Sequence, residues 1–246
     1  MIFPISLRKF YGDIVKKFFL FLPILFLPIS LALIISVEVK DVCQADIKSL
    51  KIEEKQIPKI SSEIYNSGSL PYYFRVQVDG ETRVWSPKIF SNPGEIKKID
   101  LYFLPSNKTN LKIFFCNKIL EKDINVSSFY ANKTENFEAL AARAYDKFLT
   151  LEIFSKEEGK ILVMPYNYPE NWIIEESVAK VKKGKNLIKM NFETEGFRER
   201  NVEFFVYSFN SNTYSILNFR IEKKTGLEYW LFLLYDNFRL FLQSKI

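Results

Sequence analysis

The chain has 246 residues, with 35 Lys and Arg against 29 Asp and Glu, a net charge of +6, two cysteines and no histidine. The missing histidine removes the commonest general base, the triads built on it, and most zinc sites. Neither a glycine-rich phosphate loop nor a G-x-S-x-G elbow occurs. We therefore expect a protein that is not an enzyme, with no catalytic residues, no metal and no cofactor.

Residues 18–37 form an apolar run without a charged side chain. At about 1.5 Å per residue this run spans about 30 Å, which matches the hydrocarbon core of a bilayer. Four basic residues and one acidic residue precede it, and basic residues are retained on the cytoplasmic side. We predict a cytoplasmic stub at 1–17, a single transmembrane helix at 18–39 and an extracytoplasmic remainder. A cleaved signal peptide is the alternative, although no small-x-small cleavage site follows the run.

The excess of positive charge has a topological explanation. About half of it lies in the cytoplasmic stub, where retention of basic residues accounts for it, so nucleic acid is not an expected partner. A second group of basic residues lies late in the chain, at Lys180, Lys182, Lys183, Lys185 and Lys189. These lysines are predicted to form a solvated face, with contact to an acidic glycan or a lipid headgroup as the alternative.

Residues 44–128 alternate short β-rich runs with turn signals, which is typical of a β-sandwich. The expected strands cover 60–64, 72–78, 82–85, 96–103 and 111–115. Cys43 and Cys116 both lie on the exported side, where an oxidising environment permits a disulfide. Closing a loop of roughly 70 residues would contribute about 4 kcal/mol on the chain-entropy model. Two separate buried thiols are the alternative.

Residues 134–148 predict a connecting helix, because the segment is rich in alanine, a strong helix former. Larger apolar residues and one alanine recur there at helical spacing, namely Phe137, Leu140, Ala144 and Phe148. Residues 149–225 then return to a strand-and-turn pattern. The exported part is too long for one ordinary immunoglobulin-sized sandwich and fits two. The predicted fold class is therefore all-β, with two immunoglobulin-like β-sandwiches in tandem, joined end to end behind the transmembrane helix.

Residues 227–246 are strongly apolar but carry polar residues that gather loosely toward one side of a helix, namely Glu228, Asp236, Asn237 and Arg239. Charges near the midpoint argue against a helix that spans the bilayer. We predict an amphipathic helix at the membrane surface, with interface contacts from Tyr229, Trp230, Tyr235 and Phe238. A helix packed on the second sandwich and a short second span are the alternatives.

Three N-x-S/T triplets lie on the exported side, at Asn107, Asn125 and Asn132. They fall in predicted turns or at the ends of the strand-rich blocks, where a transferase could reach them. They are candidate glycosylation sites in a host that performs this modification, with chance occurrence of the triplets in an Asn-rich chain as the alternative.

Several phrases of the first block resemble a known family. The chain has I-Y-N-S-G-S from Ile64, followed by F-R-V-Q-V-D-G, N-P-G-E-I-K-K-I and L-K-I-F-F-C-N. Over residues 57–123 these phrases resemble the CARDB group of prokaryotic immunoglobulin-like modules, which share an N-x-G turn, a strand ending in D-G and a P-G-E turn. In the second block, Y-P-E-N-W-I-I from Tyr168 is similar to modules marked by P-E-G-W, with Asn171 in place of the glycine. The resemblance implies an archaeal or bacterial surface protein that serves adhesion, spacing or assembly.

The expected function is that of a membrane-anchored structural or adhesion protein that presents tandem immunoglobulin-like domains at the cell surface. Membrane lipid and an envelope or membrane-complex protein are the expected partners. An accessory subunit of a secretion, pilus or motor assembly is the alternative. A receptor for a glycan or a peptide is a weaker alternative.

Overall fold

The computed structural model describes residues 42–54, 56–126 and 129–244. The predicted cytoplasmic stub and transmembrane helix lie outside these residues. Within the described ranges the chain has seventeen strands and one C-terminal helix, which confirms the predicted all-β class. The same ranges hold no helix with both the length and the hydropathy needed to cross a bilayer.

The first half of the described chain forms two antiparallel sheets around one core. Its strands are β1 (Ala45–Glu53), β2 (Lys59–Asn66), β3 (Tyr72–Asp79), β4 (Arg83–Trp85), β5 (Ile89–Ser91), β6 (Ile96–Tyr102), β7 (Thr109–Phe115) and β8 (Lys118–Ile124). One sheet has the order β1-β2-β6, and the other has the order β4-β3-β7-β8 with β5 also paired to β3. Buried and half-buried residues alternate along β2 and β7, so one face of each sheet packs into the core.

A disulfide joins Cys43 to Cys116 across 73 positions of sequence. Cys43 lies just before β1, and Cys116 lies in the turn between β7 and β8, where its φ is 44°. The bridge therefore ties the first strand of one sheet to a late strand of the other. The structure has this pairing and not the alternative of two separate thiols.

The second half of the described chain forms one nine-stranded sheet. Its strands are β9 (Asn132–Lys133), β10 (Phe137–Ala144), β11 (Phe148–Ser155), β12 (Gly159–Asn167), β13 (Trp172–Ile174), β14 (Ser177–Val181), β15 (Gly184–Thr194), β16 (Arg200–Ser208) and β17 (Thr213–Lys223). Their order is β13-β15-β11-β10-β17-β16-β12-β14, with β9 paired to β17. Because β13 and β14 follow each other in the chain but lie at opposite ends of this order, residues 172–181 connect the two edges of the sheet. The sheet curls around a second apolar core.

The prediction of a connecting helix at 134–148 is wrong, because this segment contains the turn after β9, the whole of β10 and the first residue of β11. β10 pairs antiparallel with β11 on one side and parallel with β17 on the other. Ala142 and Ala144 are buried in the second core. The helix preference of alanine is below about 1 kcal/mol per residue. Two hydrogen-bonded neighbouring strands and a buried face outweigh it.

The two halves contact each other along strand faces, because β12 and β16 send alternate side chains into both cores. Those in the first core are Leu162, Met164, Phe205 and Tyr207, and those in the second core are Ile161, Val163, Phe204 and Val206. Side chains alternate across a strand, so both faces of β12 and β16 are buried. An end-to-end arrangement, as expected from the sequence, does not provide this shared packing.

The last element is helix α1 (Gly226–Ser244), so the helix predicted at 227–246 is present up to the end of the described residues. It begins at Gly226, whose φ of 60° turns the chain out of β17. α1 lies against β10, β11 and β15 of the second sheet.

Candidate functional site

Helix α1 packs on the second sheet through its polar side. Successive residues of a helix are about 100° apart, which puts Asp236 opposite the middle of the run of large apolar side chains. Asp236 is fully buried, whereas most of the large apolar residues of α1 are exposed. Phe232, Leu233 and Leu240, which flank Asp236, are half-buried. A surface helix normally buries its apolar stripe and exposes its polar residues. In α1 a carboxylate is the fully buried side chain, and an apolar stripe is exposed.

The Asp236 carboxylate accepts four hydrogen bonds from the sheet. The Arg143 guanidinium donates two of them, from Nε to Oδ2 at 3.0 Å and from Nη2 to Oδ1 at 2.8 Å. The hydroxyls of Tyr145 and Thr150 each donate to Oδ2 at 2.7 Å. We call these four residues the Asp236 anchor. A bidentate arginine–carboxylate pair sets both distance and orientation, so the anchor determines how α1 is rotated about its own axis.

Two further contacts hold the C-terminal half of α1. Arg239 Nη1 lies 2.8 Å from Glu152 Oε1, while Glu152 Oε2 lies 3.8 Å from Arg143 Nη2. One turn later, Gln243 Oε1 accepts a hydrogen bond of 3.1 Å from the backbone N–H of Leu187 on β15. The helix is therefore attached to the sheet over at least two successive turns, each time through a polar side chain.

The electrostatics of the Asp236 anchor favour a charged carboxylate. Burial alone would raise the pKa of Asp236, but the hydrogen bonds from Arg143, Tyr145 and Thr150 outweigh burial and lower it below its usual value. Burial and the hydrogen bond to Asp236 raise the pKa of Tyr145. Asp236 is therefore ionised and Tyr145 protonated at neutral pH, which is the state in which all four hydrogen bonds form.

The opposite side of α1 forms a continuous surface that we call the apolar helix face, made of Leu227, Trp230, Leu231, Leu234, Tyr235, Phe238 and Leu242. Each of these residues is between 45% and 75% exposed. Three of the four predicted interface residues, Trp230, Tyr235 and Phe238, lie on this face. It occupies less than half of the helix circumference, so the side chains form one stripe along α1.

Tyr229, the fourth predicted interface residue, does not lie on the apolar helix face. Its ring is 5.6 Å from that of Tyr145, and its hydroxyl donates to Asp146 Oδ2 at 3.4 Å. Tyr229 and Asp236 are seven residues apart, which is close to two helical turns, so both point toward the sheet.

A basic groove of about 900 Å³ adjoins the C-terminal end of α1, where Leu240, Gln243 and Ser244 form part of its wall. Strands β12, β14 and β15 and the turn between β14 and β15 supply the six lysines of this lysine groove, namely Lys160, Lys180, Lys182, Lys183, Lys185 and Lys189. All six are exposed. Glu158 is the one acidic residue that lines the groove. The five lysines noted in the sequence are therefore solvated and are brought together with Lys160.

The three candidate glycosylation sites are all exposed. Asn107 and Asn125 line one cleft of about 530 Å³, together with Glu81 and Phe129. Asn132 lies on the short strand β9, paired with Thr213 of β17. Each asparagine side chain is open to solvent, and their glycosylation remains a prediction.

Charged side chains also cross the contact between the two halves. Arg75 on β3 lies 3.6 Å from Glu175 and also pairs with Glu193. Glu176 accepts a hydrogen bond of 2.9 Å from the backbone N–H of Tyr102. Burial raises the pKa of Glu176 to about 8, although this hydrogen bond acts in the opposite direction.

Helical spacing in the sequence groups the polar residues of α1 but does not indicate which residues they contact. A carboxylate within a strongly apolar helix needs a partner cation if it is buried. Arg143, the one charged residue in the alanine-rich run 139–144, is the matching signal, but the pattern of its segment predicts a helix. The described residues contain no group of three or more His, Cys, Asp or Glu side chains arranged to hold a metal ion.

Comparison with known proteins adds little to these observations. No protein-family model and no curated protein matches the chain. A crystal structure of red sea bream transglutaminase aligns with 74% of this chain at 11% identity and a TM-score of 0.27. The chain spans about a third (32%) of the length of that protein. A likeness at this TM-score supports no statement about fold or activity.

Proposed function

We propose that the protein is a membrane-anchored structural protein whose tandem immunoglobulin-like β-sandwiches lie outside the cell membrane and contact other proteins there. In this proposal residues 18–39 anchor the chain, and α1 lies at the membrane surface. The observation that carries the proposal is the orientation of α1, with a buried polar side and an exposed apolar helix face.

Energetics supports an outside partner for the apolar helix face. Contiguous apolar patches of this kind are rare on soluble monomers and mark contact with membranes or proteins. α1 would have to rotate about its axis to bury this face against the sheet. That rotation would break the bidentate pair with Asp236 and leave the buried Arg143 guanidinium with only its 3.8 Å contact to Glu152. Removing one partner of a buried ion pair costs about 3–5 kcal/mol. The apolar helix face is therefore held outward.

The aromatic residues of the face suit a membrane interface. Trp230 is 62% exposed and Tyr235 is 53% exposed, on either side of the central Leu231 and Leu234. Tryptophan and tyrosine are enriched at the boundary between headgroups and acyl chains, where one end of the ring is apolar and the other is hydrated. An amphipathic helix in the plane of the interface buries its apolar side by roughly 5–10 Å.

The first half of the chain offers a second surface, suited to a protein partner. Tyr73 and Phe90 lie on the outer side of β3 and β5 with their ring centroids 5.1 Å apart, and both are more than 40% exposed. The Lys88 amine lies 5.2 Å from the centroid of the Tyr73 ring. Aromatic residues are enriched in the cores of protein–protein interfaces.

Site-specific photo-crosslinking in native membranes tests this proposal. A photoreactive phenylalanine analogue at Leu234, on the apolar helix face, should form adducts with lipid. The same analogue at Ile119, an exposed residue of edge strand β8, serves as the control and should form no lipid adducts. Absence of lipid adducts at both positions would contradict the proposed membrane contact.

The alternative function, an accessory subunit of a membrane complex, uses the same surface differently. The apolar helix face would then pack against a helix of an integral-membrane partner. In the same experiment this arrangement gives a protein adduct of discrete mass at Leu234 in place of lipid adducts. Co-purification of that protein in a fixed ratio after mild detergent extraction would support the alternative.

A further inference from the structure

We propose that the lysine groove and the apolar helix face form one docking surface for a bilayer that contains anionic phospholipid. This inference rests on the proposed membrane location and adds the chemistry of the lipid. The lysines would contact headgroup phosphates, while the apolar helix face would contact the upper part of the acyl chains.

The charge of the lysine groove is concentrated and uncompensated. Six exposed lysines and one glutamate line it, and none of the six amines has a carboxylate within 4.0 Å among the described residues. The basic residues at the other end of α1 differ in this respect. Lys223 pairs with Asp146 at 3.5 Å, and Lys224 pairs with Glu222 at 2.9 Å. The net positive charge beside α1 therefore lies at its C-terminal end.

The lysine groove is continuous with the helix. Leu240, Gln243 and Ser244 line it, and Leu242 of the apolar helix face lies within the same last turn. Lys189 and Lys185 extend from β15, the strand whose Leu187 N–H binds Gln243. A lysine side chain buries its four-carbon stem along an apolar surface and keeps its amine in the polar layer. Basic and apolar contacts can thus be made at once.

Charge complementarity favours anionic lipid as the occupant. A bilayer is the partner that presents a plane of phosphate groups directly above hydrocarbon, which matches a basic groove beside an apolar stripe. An acidic protein segment would satisfy the lysines but leave the apolar helix face in water. A neutral lipid surface would satisfy the apolar helix face but not the lysines.

Fluorescence quenching of Trp230 by lipids with brominated acyl chains tests the inference in the full chain. The other tryptophans are unsuitable targets for quenching, since Trp172 is buried in the second core and Trp85 packs on Phe114. The full chain is reconstituted into vesicles of phosphatidylcholine alone, or of phosphatidylcholine and phosphatidylglycerol in equal parts. We expect quenching of Trp230 to be stronger in the anionic vesicles and to weaken with added salt.

A charge-neutral variant and a matched control identify the groove. The variant combines Lys182→Gln, Lys183→Gln and Lys185→Gln, and the control combines Lys98→Gln, Lys108→Gln and Lys122→Gln at exposed lysines of the first half. In anionic vesicles the ratio of docked to undocked α1 should fall by about a hundredfold in the groove variant, and hardly at all in the control. In phosphatidylcholine the three proteins should behave alike.

The outcomes separate this inference from the proposed function. Equal quenching in both vesicle types, or a groove variant that retains the anionic enhancement, would overturn the role of the lysine groove and leave the membrane contact of α1 standing. No quenching of Trp230 in any vesicle would overturn the membrane contact itself. Unquenched Trp230 together with a dimer trapped by amine crosslinking would identify a second copy of the chain as the occupant of the apolar helix face.

Discussion

At the scale of single residues, Asp236 has the largest effect on the candidate site because it is a buried charge with a single cationic partner at hydrogen-bond distance. Replacing Asp236 by Asn leaves the Arg143 charge without its bidentate partner in a buried position. We expect Asp236→Asn to lower the free energy of opening of α1 and β10 by about 3–5 kcal/mol. Hydrogen exchange of these segments, followed by mass spectrometry, measures this change.

The matched control is Asp79→Asn, which removes a surface carboxylate of the first half that pairs with Lys112. Exposed ion pairs contribute about 1 kcal/mol or less, so the control should leave protection of α1 nearly unchanged. Equal effects of the two substitutions would show that the Asp236 anchor does not hold the helix.

Glu176 gives the second prediction at this scale, which concerns pH. Its pKa is raised from 4.5 to about 8 in the folded protein. Between these two values the folded state binds more protons than the unfolded state, so stability should fall as pH rises through this window. Urea unfolding followed by tryptophan fluorescence at a series of pH values measures the slope.

The variant Glu176→Gln should flatten this slope, since glutamine resembles the protonated acid and still accepts the hydrogen bond from Tyr102. Glu170→Gln, at an exposed position before β13, is the control and should retain the slope. An unchanged slope in Glu176→Gln would show that another group titrates on unfolding.

At the scale of elements, β10 shows how tertiary contacts override local preference. Ala142 and Ala144 face the second core, where both are at least 95% buried. A larger side chain would have to displace packed neighbours, which typically costs about 1–3 kcal/mol. We expect Ala144→Leu to lower the midpoint of thermal unfolding, and Ala139→Leu, at an exposed position of the same strand, to leave it nearly unchanged. Comparable midpoints for the two variants would indicate that this face of β10 is loosely packed.

The sequence predicts most individual strands well because their apolar residues alternate with turn signals between them. Examples are 72–78 against the observed β3, and 111–115 against β7. It fails at β10, since the parallel pairing of this strand with the distant β17 has no local signature. Similarly, helical periodicity separates the apolar side of α1 from its polar side. Which of these sides packs on the sheet depends on Arg143, which lies 93 positions away from Asp236 in the sequence.

At the scale of the whole molecule, the sharing of β12 and β16 between two cores is the property that sequence patterns missed. A continuous run of buried residues such as Ile161 to Met164 resembles an ordinary central strand, and periodicity does not indicate that its two faces belong to different cores. The first half packs directly on the sheet that carries α1.

This shared packing predicts that the two halves unfold as one cooperative unit. Phe205 on β16 is 2% exposed and packs in the first core, although its strand belongs to the second sheet. Truncating a buried phenylalanine typically costs about 3–5 kcal/mol. In Phe205→Ala, the most protected amides of β2 in the first half and of β15 in the second should therefore lose the same free energy of exchange. Phe90→Ala, at an exposed ring of the first half, is the control and should change both strands little. Loss of protection in β2 alone would mean that the two halves are independently stable. A partner bound to the surface of one half would then not change the stability of the other half.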